Sequence, residues 1–242
     1  MPSLAISIVS HGQGDLVRPL LEDLSNLNFL GFDSVEIILT INIPEDEVFI
    51  ASYIGKLTVF RNLRPAGFGA NHNRAFSYCG AEFFMVLNPD VRITKSFSEY
   101  ILREKNDGWG CMAPLVYSEH GELEDSARYY PSIANLIKRV LFSRRDLDYR
   151  LDQLVCCLEV DWVAGICMIF RRDIFKKLKG FDDRYFMYLE DADICRRMNI
   201  EGCSVLVNPS FSVIHSARRK SLKDAAHFRW HLRSIVRFVF GF

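Results

Sequence analysis

The chain has no excess of either charge: thirty Lys and Arg balance thirty Asp and Glu in 242 residues. An overall basic footprint is therefore missing, and no nucleic-acid partner is expected. None of the seven cysteines forms a C-x-x-C pair, and only Cys156 and Cys157 are adjacent. This excludes a zinc ribbon and offers no disulfide framework; buried thiols in a reducing cytosol are the expectation. No stretch reaches the roughly 18 apolar residues of a membrane span, because the longest candidate, 154–170, is interrupted by Glu159 and Asp161. Residues 1–10 lack the basic start of a secretion signal. Repeats, low-complexity segments and linkers are also missing. What is abundant is apolar side chain, 49% of residues, enough to bury one full core. One domain over 1–242 is expected.

The first half alternates short β-branched runs with helical spacing. Strands are predicted at 4–9, 35–41, 57–60 and 82–87, and helices at 16–27 and 70–78. That β-α-β rhythm predicts an α/β fold, a mostly parallel sheet with helices on both faces. The second half is less regular. Two helices are expected within a polar excursion (133–141 and 145–154), then a strand at 161–170 and a helix at 173–179. A helix at 190–200, short strands at 204–207 and 211–214, and a helix at 223–240 follow.

In open α/β sheets ligands bind outside the carboxyl ends of the strands. Ser10, His11, Asn42, Glu45, Asn62, Asn88 and Asp90 all fall just after predicted strands. A dinucleotide fingerprint is not among them: the first turn, His11-Gly12-Gln13-Gly14, has Val17 where Gly or Ala is required. Asp90 closes Asn88-Pro89-Asp90, where a carboxylate can offer hard oxygen to a divalent cation; the same tripeptide is also ordinary turn chemistry. Glu190-Asp191-Ala192-Asp193 opens a helix. Acids there complement the helix dipole, and Asp191 at a cleft rim could equally serve as a general base. Asp193, two residues on, does not share its face and is expected to pair with Arg196 or Arg197. His215 ends an apolar strand, where a lone histidine is more often structural than a ligand. Gly67-Phe68-Gly69 enters a helix whose N-terminus could face phosphates.

Taken together these segments resemble the family 2 glycosyltransferases, and among them the bacterial rhamnosyltransferase-like group. The stretch from Asn62 to Phe76, with Gly67, Gly69, Asn73 and Arg74, is similar to that group's N-x-x-x-x-G-F-G-x-N-x-N-x-A-F segment. Leu87-Asn88-Pro89-Asp90 looks like its variant D-x-D motif, and Gly180 to Asp193 closely resembles its acceptor-side block. The resemblance implies a GT-A fold, with a nucleotide-binding half near 1–116 and an acceptor half near 117–242. It implies an inverting, Mg2+- or Mn2+-dependent hexosyltransferase with Asp191 as base and Asp90 and His215 as metal contacts. Ser10, His11, Asn42, Glu45, Asn62, Gly67, Asn73, Arg74, Asn88 and Asp90 would lie on the nucleotide-sugar side, and Trp162, Gly165 and Glu190 on the acceptor side. The implied donor is dTDP-rhamnose, with a UDP-hexose as alternative. The acceptor would be a saccharide or lipid-linked saccharide of a surface polysaccharide such as O-antigen. Two departures stand out. Many family members end the second strand in an Asp that holds the nucleobase, where this sequence offers Asn42 or Glu45 instead; and Asn88 takes the first position of D-x-D, which keeps a catalytically silent binding module open as another class of answer.

The charge balance breaks at the end. Residues 216–242 hold seven Lys and Arg and one acid, Asp224, a local charge of +6. Phe228, Leu232, Ile235, Val236 and Val239 would share one helical face beside Arg229, Arg233 and Arg237, after Arg218, Arg219, Lys220 and Lys223. Such a helix suits an anionic membrane surface, or packs on its own core. A cytoplasmic enzyme, peripheral at the inner face of the plasma membrane, is the resulting expectation.

Overall fold

The computed structural model describes residues 2–29, 31–93, 108–131, 148–216 and 225–241. Strands β1 (Ser3–Ser10), β2 (Ser34–Ile41), β3 (Lys56–Arg61) and β4 (Phe83–Leu87) run parallel in the order β3-β2-β1-β4. Successive side chains of a strand point to opposite faces, and β1 shows the consequence. Its Leu4, Ile6 and Ile8 join Val17, Leu20, Leu21 and Leu24 of helix α1 (Gly14–Asn26), while Ala5 faces Ala75 of helix α2 (Phe68–Tyr78). The sheet thus has a helix-covered core on each face. Both cores are closed, with most of these side chains fully buried.

The second half completes the same sheet in a different manner. Its strands are β5 (Val91–Arg92), β6 (Trp109–Ser118), β7 (Ala127–Arg128), β8 (Leu158–Glu159), β9 (Trp162–Val163), β10 (Cys167–Arg171) and β11 (Ser204–His215). β10 lies antiparallel between β4 and β6, β11 runs parallel to β6, and β5 and β8 pair antiparallel with β11. β7 and β9 form a separate two-stranded ribbon. Among the described residues three helices accompany them: α3 (Arg172–Lys177), α4 (Glu190–Ile200) and α5 (Ala225–Phe240). The sheet is mixed, with its parallel character concentrated in the first half.

Several sequence expectations are corrected here. The single strand at 161–170 is two, because the chain turns at 164–166: Ala164 N–H donates to the Ser126 carbonyl (2.8 Å) and Gly165 N–H to Asp191 (2.9 Å). The two strands at 204–207 and 211–214 are one, with a register shift between Asn208 and Ser212. β6 was not anticipated. Within the described part of 145–154 there is only a short 3-10 turn, Leu151–Gln153, and the helix expected at 133–141 lies outside the described residues. No described helix is long and apolar enough to cross a membrane.

Candidate active site

The C-terminal ends of β1, β2 and β4 open onto a cleft of about 390 Å³. One wall carries His11, Gln13, Asn42 and Asn88 to Asp90; the opposite wall carries Arg128, Trp162, Gly165 and the segment Met187 to Asp191. The two halves of the chain therefore meet across one hollow, at the sheet edge where an open α/β fold places its ligands.

Asp191 and Glu190 stand side by side at the start of α4, in unlike surroundings. Asp191 accepts the backbone N–H groups of Gly165 (2.9 Å) and Ala192 (2.8 Å). Burial raises its pKa, while those two donors and the positive charge of Arg128 oppose the rise. Glu190 is 5% exposed and its Oε2 has no hydrogen-bond partner. Burial first, and then the charge of Asp191, push its pKa well above the ordinary carboxylate range. The pair's stabilised negative charge belongs on Asp191, and Glu190 gives up its proton last. The approach to this corner is strained: Tyr188 and Leu189 have φ of 74° and 64°, a left-handed conformation costly for residues with a Cβ.

Across the cleft, Asp90 Oδ1 is buried without a partner, while Oδ2 lies 3.4 Å from Nε2 of His215. The other ring nitrogen of His215, Nδ1, is 2.7 Å from Glu124. Burial pulls the His215 pKa down, but Asp90 and Glu124 more than compensate and leave it raised. Among the described residues there is no group of three or more His, Cys, Asp or Glu that could hold a metal. Of the residues expected to hold a cation, Asp90 and His215 stand together. This donor set fits a hard cation that completes its shell with phosphate oxygens and water, and the orphaned Asp90 oxygen is consistent with such a partner.

The remaining expected site residues are placed as follows. Asn42 lines the cleft, but its carboxamide is fully used. Its Nδ2 donates to His11 Nδ1 (3.1 Å) and the Ala66 carbonyl (3.1 Å), and its Oδ1 accepts from Asn62 (2.8 Å) and Ala66 N–H (2.9 Å). An amide has no fifth valence for a base, so Asn42 braces the wall. Asn62 continues that network to Asn71 (2.7 Å) and receives Arg74 (2.8 Å), whose guanidinium lies over Phe60; Asn62 and Arg74 sit outside the cleft. Asn73 lies outside too. It ties α2 to the Phe181 backbone in both directions and to Asp183. Ser10 is fully buried and accepts Gln13 N–H within the first turn. Glu45 accepts Gly14 N–H (2.8 Å) at the start of α1, away from the cleft. Gly67 permits a close approach: a Cβ there would come within 2.7 Å of the Phe186 carbonyl oxygen. Asp193 pairs with Arg197 (2.8 Å) and more loosely with Arg196 (3.5 Å).

Sequence reasoning missed Arg128, Tyr188 and His231 as cleft residues. Arg128 belongs to a two-residue strand with no periodic signal. His231 reaches the rim because α5 folds back along the body. Tyr188 Oη lies 2.7 Å from His227, Ser234 donates to the Met187 carbonyl (2.9 Å), and Arg196 donates to the Phe238 carbonyl (2.9 Å). The expected single apolar face of this helix is divided. Ile235 and Phe238 join the core, while Phe228, Leu232, Val236 and Phe240 stay 42–70% exposed. Arg218, Arg219, Lys220 and Lys223 lie outside the described residues.

Known structures identify the architecture. GalNAc-T7, solved with UDP, GalNAc and Mn2+, superposes with a TM-score of 0.72 at 16% identity, covering 98% of this chain and 47% of that one. A mannosyltransferase from Pyrobaculum calidifontis, solved with GDP-Man and Mn2+, gives 0.65 at 13% identity, covering 98% of this chain and 64% of that one. The fold is GT-A, the fold of nucleotide-sugar glycosyltransferases. No protein-family profile matches the chain. Sequence relatives narrow the class. Rhamnosyltransferase WbbL of Escherichia coli K12 is 28% identical over 97% of this chain and 91% of its own length. The N-acetylglucosaminyl-diphospho-decaprenol L-rhamnosyltransferase of Mycobacterium tuberculosis is 28% identical over 72% of this chain but only 63% of its own length. The chain has the fold of the nucleotide-sugar glycosyltransferases and is similar in sequence to the bacterial rhamnosyltransferases.

Proposed function

We propose that the chain transfers one rhamnose, with inversion, from dTDP-rhamnose to a hydroxyl of a saccharide or lipid-linked saccharide in cell-surface polysaccharide synthesis. The observation that carries this reading is the pairing of Asp191, anchored by two backbone N–H groups, with the Asp90–His215 couple across one cleft. The names of the sequence relatives supply the donor sugar and the acceptor class.

Asp191 takes the proton of the acceptor hydroxyl as that oxygen attacks the sugar carbon. Its carboxylate is held in place before the acceptor arrives, which is what a general base requires. Asp90 and His215 would hold a divalent cation, Mg2+ or Mn2+. When bound, the cation neutralises charge on the departing diphosphate. Glu124, bonded to Nδ1 of His215, keeps Nε2 available on the Asp90 side. Arg128 adds a positive charge in the same cleft. Trp162, buried with its indole N–H donated to the Tyr129 carbonyl (3.0 Å), braces the acceptor wall beneath the Arg128 guanidinium. The exposed side of α5, with Phe228 and Phe240 beside Arg229, suits contact with anionic headgroups at the inner face of the membrane.

The test is release of dTDP from dTDP-rhamnose by the purified chain, run against UDP-hexoses and in excess chelator. Turnover of the rhamnose donor, lost on chelation, is expected. Turnover of a UDP-hexose in its place would reassign the donor, and undiminished activity in chelator would remove the cation.

A further inference from the structure

A second hollow lies one wall away from the cleft. It measures about 630 Å³ and is lined by Arg184, Phe186, Trp230, Leu232, Arg233 and Arg237. The Phe186 and Trp230 rings are 4.7 Å apart. Met187 and His231, their immediate chain neighbours, line the cleft instead. The bond from Ser234 to the Met187 carbonyl fixes the wall between the two hollows.

The chemistry of this groove differs from that of the cleft. It contains no carboxylate and no carboxamide, the groups that usually read sugar hydroxyls. Its walls are aromatic and aliphatic, with Leu232 still 52% exposed and Phe186 36%. Its charges are all positive. Arg184 is matched by Asp182 at 2.7 Å, and Arg237 is held over the groove by the Arg184 carbonyl. Among the described residues Arg233 has no ion-pair partner. Apolar wall beside guanidinium is the complement of a hydrocarbon chain joined to phosphate. A nucleotide would need base contacts that this lining does not provide.

We propose that the groove holds the prenyl diphosphate portion of a lipid-linked acceptor, whose sugar then passes the shared wall to reach Asp191. The inference rests on the glycosyl-transfer reading of the cleft and adds to it the place where the acceptor's anionic lipid binds. It also accounts for the division of α5: the inner face packs, and the face bordering the groove stays apolar and open.

Farnesyl diphosphate below its micelle concentration is the probe, followed by Trp230 fluorescence with Trp230→Phe as signal control. Chelator and saturating dTDP keep the probe out of the donor site. Binding about tenfold tighter than either inorganic pyrophosphate or farnesol is expected, since neither half-ligand satisfies both surfaces. Arg233→Glu and Leu232→Asp, both exposed and so expected to melt like the parent, should each weaken it about tenfold. Equal affinity for farnesyl diphosphate and pyrophosphate, or no effect of either substitution, would overturn the groove. So would binding that follows phosphatidylglycerol vesicles but ignores soluble farnesyl diphosphate, which would make this face a membrane surface only. Donor hydrolysis is measured separately. Hydrolysis without prenyl diphosphate binding removes the groove and leaves the transfer reading, whereas prenyl diphosphate binding without hydrolysis of any nucleotide sugar does the reverse.

Discussion

The two halves of the molecule, which the proposed function makes a donor half and an acceptor half, hold polar groups at the cleft by different means. The donor half uses strand ends and neutral amides. Asn42, Asn62 and Asn71 satisfy one another and the 66–67 backbone, and only His11, Asn88 and Asp90 are presented after regular strands. The acceptor half uses charge and strain. Asp191 and Glu190 sit at a helix start reached through two left-handed residues, above an Asp193–Arg197 pair that also anchors the Leu178 and Gly180 carbonyls. A neutral network fixes shape at little electrostatic cost. A pair of adjacent buried acids destabilises the fold locally but separates the two pKa values, which is how a base is set apart from its neighbour.

The largest expected effect tests that division directly. Asp191→Asn keeps an acceptor oxygen for one of the two backbone donors, turns an NH2 toward the other, and cannot accept a proton. We expect a loss of at least about a hundredfold in kcat, the scale of a general base, with donor affinity little changed. A variant that melts early but turns over normally would reduce Asp191 to a helix cap. Asp193→Asn should do the converse. It removes a buried charge from two arginines, costing about 2–3 kcal/mol, or roughly 5–10 °C in melting temperature for a chain of this size. Equal catalytic loss at both positions, with folding intact, would erase the distinction between them.

In the donor half, Asn42→Asp puts an acid at the end of the second strand. It also removes both donors that serve His11 and the Ala66 carbonyl. The expected outcome is a loss of about 1–2 kcal/mol by denaturant titration, without tighter nucleotide binding. Tighter binding of a nucleoside diphosphate, measured calorimetrically, would show that the wall can reorganise around a base after all.

The two halves were also unequally legible. A short β-branched apolar run made β1 readable although it is buried on both faces, and Leu spacing along one core face made α1 readable. Helix α4 was readable to its ends, because acids mark its start and Gly202 follows its last turn. β6 was not: its first eight residues are buried on both sides, so no alternation exists to be seen, and Pro114 argues against a strand. The turn at 164–166 owes its place to Asp191, 26 residues away, which no local pattern reveals. Strain at Tyr188 and Leu189 left no trace either, since neither residue is glycine. Asp90 and Asp191 stood out by motif and His215 by the resemblance alone; Arg128 and His231 enter the cleft only through tertiary contact.

The smallest effect sharpens the comparison most, because it isolates the cost of the acidic pair. The folded-state pKa of Glu190 is raised by burial and then by Asp191, and its Oε2 lacks a partner. The folded protein therefore holds this proton more tightly than the unfolded chain. Stability from the protonated form is complete below the unfolded value near 4.5, and is lost as pH rises toward the folded value. Glu190→Gln keeps the shape of the neutral acid and cannot ionise. At neutral pH it should melt higher than the parent, by roughly 2–4 °C for each kcal/mol relieved. Below about pH 4 the two proteins should melt together, because both are then neutral at this position. A donor-half control, Glu45→Gln, should not raise the melting temperature at neutral pH, since it weakens the bond that Glu45 accepts from the Gly14 N–H at 2.8 Å. If Glu190→Gln instead lowers the melting temperature at neutral pH, the Glu190 carboxylate has a stabilising partner, and the contrast between a neutral donor wall and a costly acidic one fails at its central residue.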